Sequence, residues 1–326
     1  MKKIALLAAL AIMFAAFLWA FDGVVLTPWV TNLGMKDVPT FVFMLHAVAS
    51  VFLSYFLITR RRELKTLKKV DWLAFLLTGL FGGAIGTMAI IAAIIKTYTG
   101  NLNISVVLLL QKLQPIFAIA LALLWLKERP KKTFYPWVLV ALLGSYFLTF
   151  GFEKPSFNAS GMFIPALLSV LAAFSFGSST AFSKKAITKI SHGLGTALRF
   201  FITTGIMLVI ILIISILNHF DINTGYAGYL GFKMINWKMI LAFVIIALTT
   251  GGTAIFIYYW GLKRVLASRS TIYELVFPVS AIILEYLIHH KILTPGQWFG
   301  SIIMLGAIVA IVNLKSSDSN IPSISK

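Results

Sequence analysis

The residues best suited to bind a ligand lie just before two prolines, one in each half of the chain. Pro115 and Pro278 each stand near the middle of a long apolar segment. Polar side chains crowd the turn before each proline: Gln111, Lys112 and Gln114 in the first segment, and Tyr273 and Glu274 in the second. Charged or hydrogen-bonding groups inside an apolar membrane helix are costly unless they line a cavity or a path. The pattern predicts a binding site between the two segments, with the prolines as hinges.

The charged residues determine what such a site could bind. Lys112 could receive a carboxylate or a phosphate, and Glu274 could take an amine, a cation or a coupling proton. Lys112 could instead snorkel or pair with a neighbouring acid, and Glu274 is one such acid. Counting residues along two oppositely directed helices separates the two charges by about 10 Å in depth, so a substrate with both charges would bridge them. Two other charges are interpreted as structural, Arg199 as a headgroup anchor and Glu128 as a residue that helps end its own helix.

Aromatic and titratable residues elsewhere extend the candidate site. Trp19 and Tyr258 could contribute ring surface, although aromatic residues near helix ends are also common at membrane interfaces. The candidates for carrying a coupling proton are Glu274, His46 and Asp22. Imidazole titrates near neutral pH, but a lone histidine is more often a hydrogen-bonded structural residue. Asp22 is expected at the outer end of the first segment, where a carboxylate could line a cavity mouth or simply be solvated.

The elements that must position these residues are membrane helices. Of the 326 residues, 60% are hydrophobic and only 12% are charged, which is more apolar than a soluble protein of this length can bury. A helix needs about 20 residues to cross hydrocarbon about 30 Å thick. Ten segments approach that length: 4–23, 41–59, 72–95, 104–126, 135–150, 161–182, 197–217, 239–260, 271–288 and 297–312. We predict an all-α integral membrane protein with ten transmembrane helices and no soluble domain.

The distribution of Lys and Arg predicts that both termini are cytoplasmic. The net charge is +18, and with an inside amino terminus twenty of the 28 basic residues fall in inside segments. Six fall outside: Lys36, Lys96, Lys154, Lys233, Lys238 and Lys291. This asymmetry follows the positive-inside rule and predicts a multi-pass protein of the cell inner (plasma) membrane. Residues 1–21 are predicted to be an uncleaved first helix rather than a signal peptide, because the apolar run is long and no small-x-small cleavage site closes it.

The two halves of the chain carry matching landmarks in the same order. The pairs are Gly82-Gly83 with Gly251-Gly252, His46 with Arg199, Gly144 with Gly306, and Pro115 with Pro278. Because five spans per half is an odd number, the second half must enter the membrane from the opposite side. We therefore predict two inverted five-helix repeats, at residues 1–154 and 155–316, around a central cavity. A cytoplasmic tail at 317–326 follows them.

The two proline-containing segments, with Trp19 and residues 198–200, resemble the drug/metabolite transporter superfamily, specifically its ten-helix EamA-type members. The segments read LLLQKLQPIFAIALALLWLKERP and LVFPVSAIILEYLIHHKILTPGQWFGSIIMLGAIV. The resemblance covers essentially the whole chain, with departures at residues 289–291 and at His46. It implies a central cavity lined by spans one to four and six to nine, with spans five and ten peripheral. It also implies alternating access, usually for export of a small metabolite or amino acid.

These observations predict a secondary transporter rather than an enzyme. We expect it to move an amino acid or related zwitterion outward by alternating access. The alternative cargo is an anionic nucleotide-type or phosphorylated metabolite, because Lys112 alone would serve it. The expected partners are a small-molecule substrate, the lipid bilayer, and a proton or counter-substrate, and the expected state is a monomer or weak homodimer.

Other functional classes find less support in the sequence. The basic charge is explained by topology and by attraction to anionic lipid, so no nucleic-acid binding is predicted. The chain has no cysteine, and its motifs predict no metal and no cofactor. A membrane-embedded enzyme would need clustered catalytic groups, and His289 and His290, the only histidine pair, point about 100° apart on a helix. A channel would need a selectivity element, and none is visible in the sequence.

Overall fold

The computed structural model describes residues 2–99, 107, 110–153, 161–290 and 294–314. Within these ranges the chain is helical, without a strand. The apolar helices in chain order are α1 Lys3–Asn32, α2 Val38–Thr59, α3 Lys69–Thr97, α4 Gln114–Leu124, α5 Phe134–Phe150, α6 Phe163–Ala186, α7 His192–His219, α8 Trp237–Leu262, α9 Ala267–Ile288 and α10 Pro295–Asn313. Within the described ranges, all but α4 and α5 are long and apolar enough to cross a membrane, which gives eight candidate spans.

The all-α membrane architecture is confirmed, whereas the count of ten spans is not reached within the described part of the chain. The structure gives α4 and α5 fewer residues than the roughly 20 that a spanning helix needs. Most of the predicted fourth segment before residue 110 lies outside the described residues. So do the 317–326 tail, Lys154, Lys291 and the side chain of His289.

The first helix is longer than predicted, and this changes the position of Asp22. The predicted segment ended at residue 23, but α1 continues to Asn32 through a π-helical stretch at Asp22–Leu26. Pro28 does not end the helix, because it stands at the start of the α-helical turn that follows the π stretch. Asp22 therefore lies inside a membrane helix rather than at its outer end.

Several helices begin where a side chain caps the first free backbone amides. The Asp37 carboxylate accepts a hydrogen bond from the Thr40 amide at the start of α2, at 3.1 Å. Ser191 caps α7, Asn236 caps α8, and Thr294 caps α10 in the same way. Such caps satisfy amides that have no partner within the helix, so they place the helix starts accurately.

Four of the helices depart from regular α geometry at equivalent places in the two halves. A π-helical stretch interrupts α3 at Thr78–Ile85 and α8 at Ala247–Gly251, in each case at the paired glycines. The proline-containing helices break as well. Residues 112–113 form a turn before α4, and residues 274–275 form a turn inside α9. These interruptions free backbone groups inside the bundle, and in membrane proteins that is tolerated where helices or a cavity can satisfy them.

The helices pack in pairs around a core to which both halves contribute. The pairs with the most extensive contact are α5 with α10, α2 with α7, α3 with α6, α4 with α6, and α1 with α8. Glycines allow the close approaches: a Cβ at Gly177 would lie 2.6 Å from the Gln114 carbonyl oxygen, so α6 can press directly onto the start of α4. This contact holds the broken helix in place where its polar residues emerge.

The pair α5 and α10 lies to one side of the bundle and is packed backbone to backbone. A Cβ at Gly144 would lie 2.8 Å from the Met304 amide nitrogen, and one at Gly300 would lie 2.7 Å from the Gly144 carbonyl oxygen. Gly306, the landmark that we matched to Gly144 in the sequence, has open space around it instead. Gly300 is therefore the glycine of α10 that makes the close helix contact.

We expect Gly300→Ala to destabilise the protein by about 1–3 kcal/mol, because the methyl group would push against backbone atoms that cannot rotate away. Gly306→Ala is the matched control on the same helix. Its added methyl meets no atom within 4 Å, so it should be neutral or stabilise by up to about 1 kcal/mol. Thermal unfolding of the purified variants in detergent measures both effects. Equal unfolding midpoints for the two variants would contradict the packing described here.

Candidate functional site

The site is organised by Glu274, which stands at the break in α9. Its carboxylate accepts a hydrogen bond from the Gln114 side-chain amide and another from the Tyr258 hydroxyl, both at 2.8 Å. Gln114 is the first residue of α4, Tyr258 lies near the end of α8, and Glu274 belongs to α9. Three helices therefore meet at one carboxylate, and the two turns before the prolines bring Gln114 and Glu274 to the same place.

An aromatic wall adjoins this carboxylate. The Trp19 and Tyr258 rings lie 5.3 Å apart between centroids and are tilted by 56°. The Tyr258 hydroxyl oxygen also lies 3.4 Å from the Thr180 hydroxyl of α6. Tyr258 is buried, whereas Trp19, Gln114 and Glu274 are half-buried. The half-buried residues keep surface that can contact a ligand, and they present an aromatic face beside hydrogen-bonding groups.

A second polar layer, which the sequence does not reveal, is centred on Arg199. Its guanidinium lies 5.9 Å from the centre of the Tyr259 ring and donates to the Tyr259 hydroxyl at 3.4 Å. That hydroxyl also shares a hydrogen bond of 2.9 Å with Ser183. The interpretation of Arg199 as a headgroup anchor is wrong, because the side chain points into the bundle, within electrostatic range of Glu274.

Gly82 explains how a guanidinium fits there. A Cβ at this position would lie 3.0 Å from Arg199 Nη2 and 2.7 Å from Ser179 Cβ. The bare backbone of the α3 π stretch thus leaves room for the arginine. No sequence signal indicates this fit, because it depends on which helices are neighbours.

Lys112 lies in the turn before α4 and is buried, with 7% of its surface exposed. Its ammonium sits 4.6 Å from the centre of the Phe277 ring, which belongs to α9. Among the described residues, Lys112 forms no ion pair. The ring face offers a cation partial compensation for lost water. Glu274 is instead satisfied by Gln114 and Tyr258, so the structure gives no sign that it pairs with Lys112.

The remaining predicted residues lie around this centre at different places. Gln111 is half-buried at the last turn before the break. Tyr273 is 2% exposed and lies in the core next to Arg269, away from the hydrogen bonds of Glu274. Pro115 and Pro278 both follow the turns that break their helices, which is where hinge residues would be placed.

The two further candidates for proton coupling have different environments. His46 is buried on α2, where its Nδ1 donates to the Val42 carbonyl at 2.8 Å and its ring packs 5.1 Å from that of Phe200. Asp22 is half-buried beside the Thr27 and Thr250 hydroxyls, and its Oδ1 accepts no hydrogen bond from the described residues. His46 thus makes structural contacts, whereas Asp22 retains an unused acceptor.

The arrangement suits recognition of a flat, polar ligand better than catalysis. The described residues contain no group of three or more His, Cys, Asp or Glu side chains that could hold a metal ion. What they offer is aromatic surface, an amide, a carboxylate and hydroxyls that converge from several helices. Sites of this composition bind small molecules by stacking and by a few placed hydrogen bonds.

A family model matches the chain twice, at residues 6–150 and 163–313, and its description is the EamA-like transporter family. A solved structure described only as "Crystal structure of protein" shares the fold, with a TM-score of 0.68 over 94% of this chain and 98% of that chain at 14% identity. The two family matches together cover most of the described helices.

Two curated relatives are also similar. The riboflavin transporter ImpX of Fusobacterium nucleatum subsp. nucleatum is 42% identical over 310 residues, which are 94% of this chain and 97% of the relative. The uncharacterized transporter sll1164 of Synechocystis sp. is 27% identical over 266 residues, 78% of this chain and 70% of the relative. The predicted superfamily is therefore confirmed, and the chain is a multi-pass membrane transporter, not an enzyme, that belongs to the EamA-like transporter family.

Proposed function

We propose that the protein carries riboflavin or a closely related flat heteroaromatic compound across the membrane. The observation that carries this proposal is the site itself, in which the Trp19 and Tyr258 rings lie beside Gln114 and Glu274. The name of the relative at 42% identity, a riboflavin transporter, supports the same cargo. An amino acid, our expectation from the sequence, finds no support from that relative.

The chemistry of the ligand matches the residue types at the site. The isoalloxazine of riboflavin is a planar three-ring system with two carbonyls and one N–H on its pyrimidine edge. Stacking on an aromatic side chain contributes about 1–3 kcal/mol for a ring of comparable kind. The pyrimidine N–H could donate to Glu274, and a carbonyl could accept from the Gln114 amide. Riboflavin is uncharged at neutral pH, so it needs neither a matching cation nor a matching anion.

The transport cycle that we propose is alternating access by two inverted repeats of five spans. Support comes from the two family matches, from the π-helical stretches at equivalent positions of α3 and α8, and from the breaks before both prolines. Breaks of this kind in corresponding helices are typical of transporter binding sites. We further propose that α4 and α5 complete ten spans and that both termini are cytoplasmic. The bacterial relative favours the inner membrane, and outward net transport stays a prediction.

Equilibrium binding tests the cargo directly. Purified protein in detergent is titrated into riboflavin while the flavin fluorescence is followed, since stacking on Trp19 should quench it. We expect saturable quenching. Riboflavin analogues with an intact ring system should reverse it by competing for the site, and amino acids should not. Saturable binding of an amino acid, with no quenching of riboflavin, would overturn the proposal.

A second cargo class is favoured by one observation, the buried Lys112 ammonium without an ion pair among the described residues. Such a cation could receive the phosphate of an anionic, nucleotide-type ligand. If it does, Lys112→Met should weaken binding of riboflavin 5′-phosphate by about tenfold or more and riboflavin by less than about threefold, because only one ligand carries the charge. The ratio of the two dissociation constants, measured by the same quenching titration, checks this. An unchanged ratio would show that Lys112 supports Phe277 and does not select the ligand.

Proton coupling is proposed for Glu274, with His46 and Asp22 as the other candidates. Glu274 is favoured because it lies in the site, where occupancy by a ligand would alter its hydrogen bonds. His46 is less suited, because Nδ1 already donates to a backbone carbonyl. Monomer or weak homodimer stays a prediction, as does the absence of nucleic-acid binding.

A further inference from the structure

One end of the bundle is held together by two charged residues outside the proposed binding site, the buried Glu128 and the half-buried Lys184. Glu128 follows α4 and is 5% exposed, and Lys184 lies in the last turn of α6. Both contact the connection between α8 and α9, the residues 262–268. We call Glu128, Lys184 and this connection the α8–α9 clamp.

Glu128 caps the start of α9. One carboxylate oxygen accepts from the Ala267 amide at 2.7 Å, and the other accepts from the Ser268 amide at 3.0 Å and the Ser268 hydroxyl at 2.7 Å. The Glu128 backbone amide bonds the Ala122 carbonyl of α4 at 3.0 Å, as expected of a residue that helps end its own helix, whereas its side chain acts on α9. Amides at a helix start have no partner within the helix, and a carboxylate is a strong acceptor for them. A residue of the first half thus holds a helix of the second.

Lys184 holds the other side of the same connection. Its ammonium donates to the carbonyls of Leu262 at 2.6 Å, Val265 at 2.7 Å and Lys263 at 3.1 Å. These carbonyls lie at and just beyond the end of α8, where no helical amide is left to bond them. The ammonium also lies within electrostatic range of the Glu128 carboxylate. Each of the three ammonium hydrogens therefore has a carbonyl acceptor.

The clamp joins the same helices that contact one another at the binding site. The α4 segment contacts α9 through Gln114 and Glu274 and again through Glu128 and Ser268. Helix α6 contacts α8 through Thr180 and Tyr258 and again through Lys184. Glu274 lies seven residues, about 10 Å, beyond the start of α9. The α8–α9 hairpin is therefore attached to the same two neighbours at the site and at its end.

We propose that the α8–α9 clamp is the cytoplasmic closure of the transport path, and that Glu128 and Lys184 are positioning residues that hold Tyr258 and Glu274 in the site while it is closed. Alternating access requires this end to open, and the hairpin cannot leave α4 and α6 without breaking the clamp. Weakening the clamp should then favour the open conformation. The inference rests on the proposed transport cycle and topology, but not on the identity of the cargo.

The experiment uses the absence of cysteine from the chain. Ser270 is 0% exposed and lies between the clamp and Glu274, so Ser270→Cys gives a single thiol that reacts only when this end opens. The rate of labelling by a membrane-impermeant maleimide is measured from each face in oriented vesicles, without substrate. We expect slow labelling with the native clamp, and a rate roughly tenfold higher with Glu128→Gln, the scale expected for a lost helix cap. The increase should appear from the cytoplasmic face.

The matched control is Asp37→Asn, because Asp37 is also a buried carboxylate that accepts backbone N–H groups, those of Thr40 at 3.1 Å and Ala227 at 2.8 Å, outside the clamp. It should leave the labelling rate unchanged. Ser268→Ala is a milder second variant that removes one hydrogen bond and keeps the Glu128 carboxylate, and it should raise the rate less than Glu128→Gln. Lower thermal stability in the clamp variants with an unchanged labelling rate would show a merely structural role and overturn the proposal. If the protein fails to transport riboflavin, the proposed cargo is wrong, but the labelling rate still tests the clamp.

Discussion

Glu274→Ala should reduce riboflavin exchange by about 100-fold or more and weaken binding by a similar factor. The substitution removes the acceptor of the Gln114 amide and the Tyr258 hydroxyl, both bonded at 2.8 Å. Hydrogen bonds to a charged group contribute about 1.5–3 kcal/mol each, and the variant loses those from the buried Tyr258 hydroxyl and from the ligand N–H. A factor of 100 corresponds to about 2.7 kcal/mol, within the range for one such bond. Initial exchange rates in proteoliposomes and the quenching titration measure the loss independently.

Two further substitutions distinguish the loss of the Glu274 carboxylate from general damage to α9. Glu274→Gln keeps the size and one acceptor oxygen, so we expect an intermediate loss of about tenfold, the scale of a charge-assisted hydrogen bond. If Glu274 carries the coupling proton, this variant also loses the response of flux to a pH gradient. Glu285→Gln, on the same helix 11 residues further on, should stay within about twofold of the native protein, since a local change remote from the site affects binding little. Equal losses in the Glu274 and Glu285 variants would mean that α9 is damaged as a whole.

Trp19→Ala should weaken riboflavin binding by between about fivefold and 150-fold. The range follows from the roughly 1–3 kcal/mol that stacking of a ring on an aromatic side chain contributes. Trp19 is half-buried with its ring 5.3 Å from that of Tyr258, so it can offer one face to a ligand. Because stacking also quenches flavin fluorescence, the variant should lose quenching amplitude as well as affinity.

The controls for this prediction are aromatic. Trp19→Phe retains a smaller ring. Because stacking depends on contact area, this variant should lose less than half of the binding free energy that Trp19→Ala loses. Trp29→Ala removes a tryptophan that is 37% exposed in the same helix, outside the site, and should leave affinity within about twofold. Binding that is insensitive to Trp19→Ala, in a protein that still folds, would show that the ring system lies elsewhere.

The sequence indicates which polar residues the broken helices bring together, because proline and charge are strong signals inside apolar segments. A polar residue in a membrane helix needs a reason, and Gln114 and Glu274 stand out for that reason alone. In the structure the Gln114 amide donates to the Glu274 carboxylate. Tyr258, another candidate residue, donates to the same carboxylate. Lys112 and Glu274 form no ion pair with each other among the described residues, and a substrate that bridges the two charges stays a prediction.

Features that depend on packing between helices could not be predicted in this way. Arg199 lies seven residues into α7, a place that suits a headgroup anchor as well as a cavity, and only the space left by Gly82 directs it inward. Glu128 stands among basic residues, and nothing in its neighbourhood shows that its carboxylate caps a helix from the other half. Both contacts join residues far apart in the chain.

The first helix is longer than the predicted segment for a local reason. Asp22, Gly23 and Pro28 are residues that normally end an apolar segment, so the predicted segment ends at residue 23. The chain remains helical by widening to a π-helical stretch at Asp22–Leu26, and the helix then continues to Asn32. π-Helical stretches have no reliable sequence pattern and are frequent at functional sites. In α3 and α8, the glycine pairs are the only sequence features that mark the positions of the π-helical stretches.

Counterflow in proteoliposomes is the most direct test of transport by this protein. Vesicles are loaded with unlabelled riboflavin, and entry of labelled riboflavin is followed with the native protein, Glu274→Ala and Glu285→Gln. We predict saturable entry that internal riboflavin accelerates, that Glu274→Ala abolishes and that Glu285→Gln preserves. Entry of riboflavin that neither saturates nor responds to internal riboflavin would contradict a carrier. Exchange of an amino acid or a phosphorylated metabolite in its place would contradict the cargo.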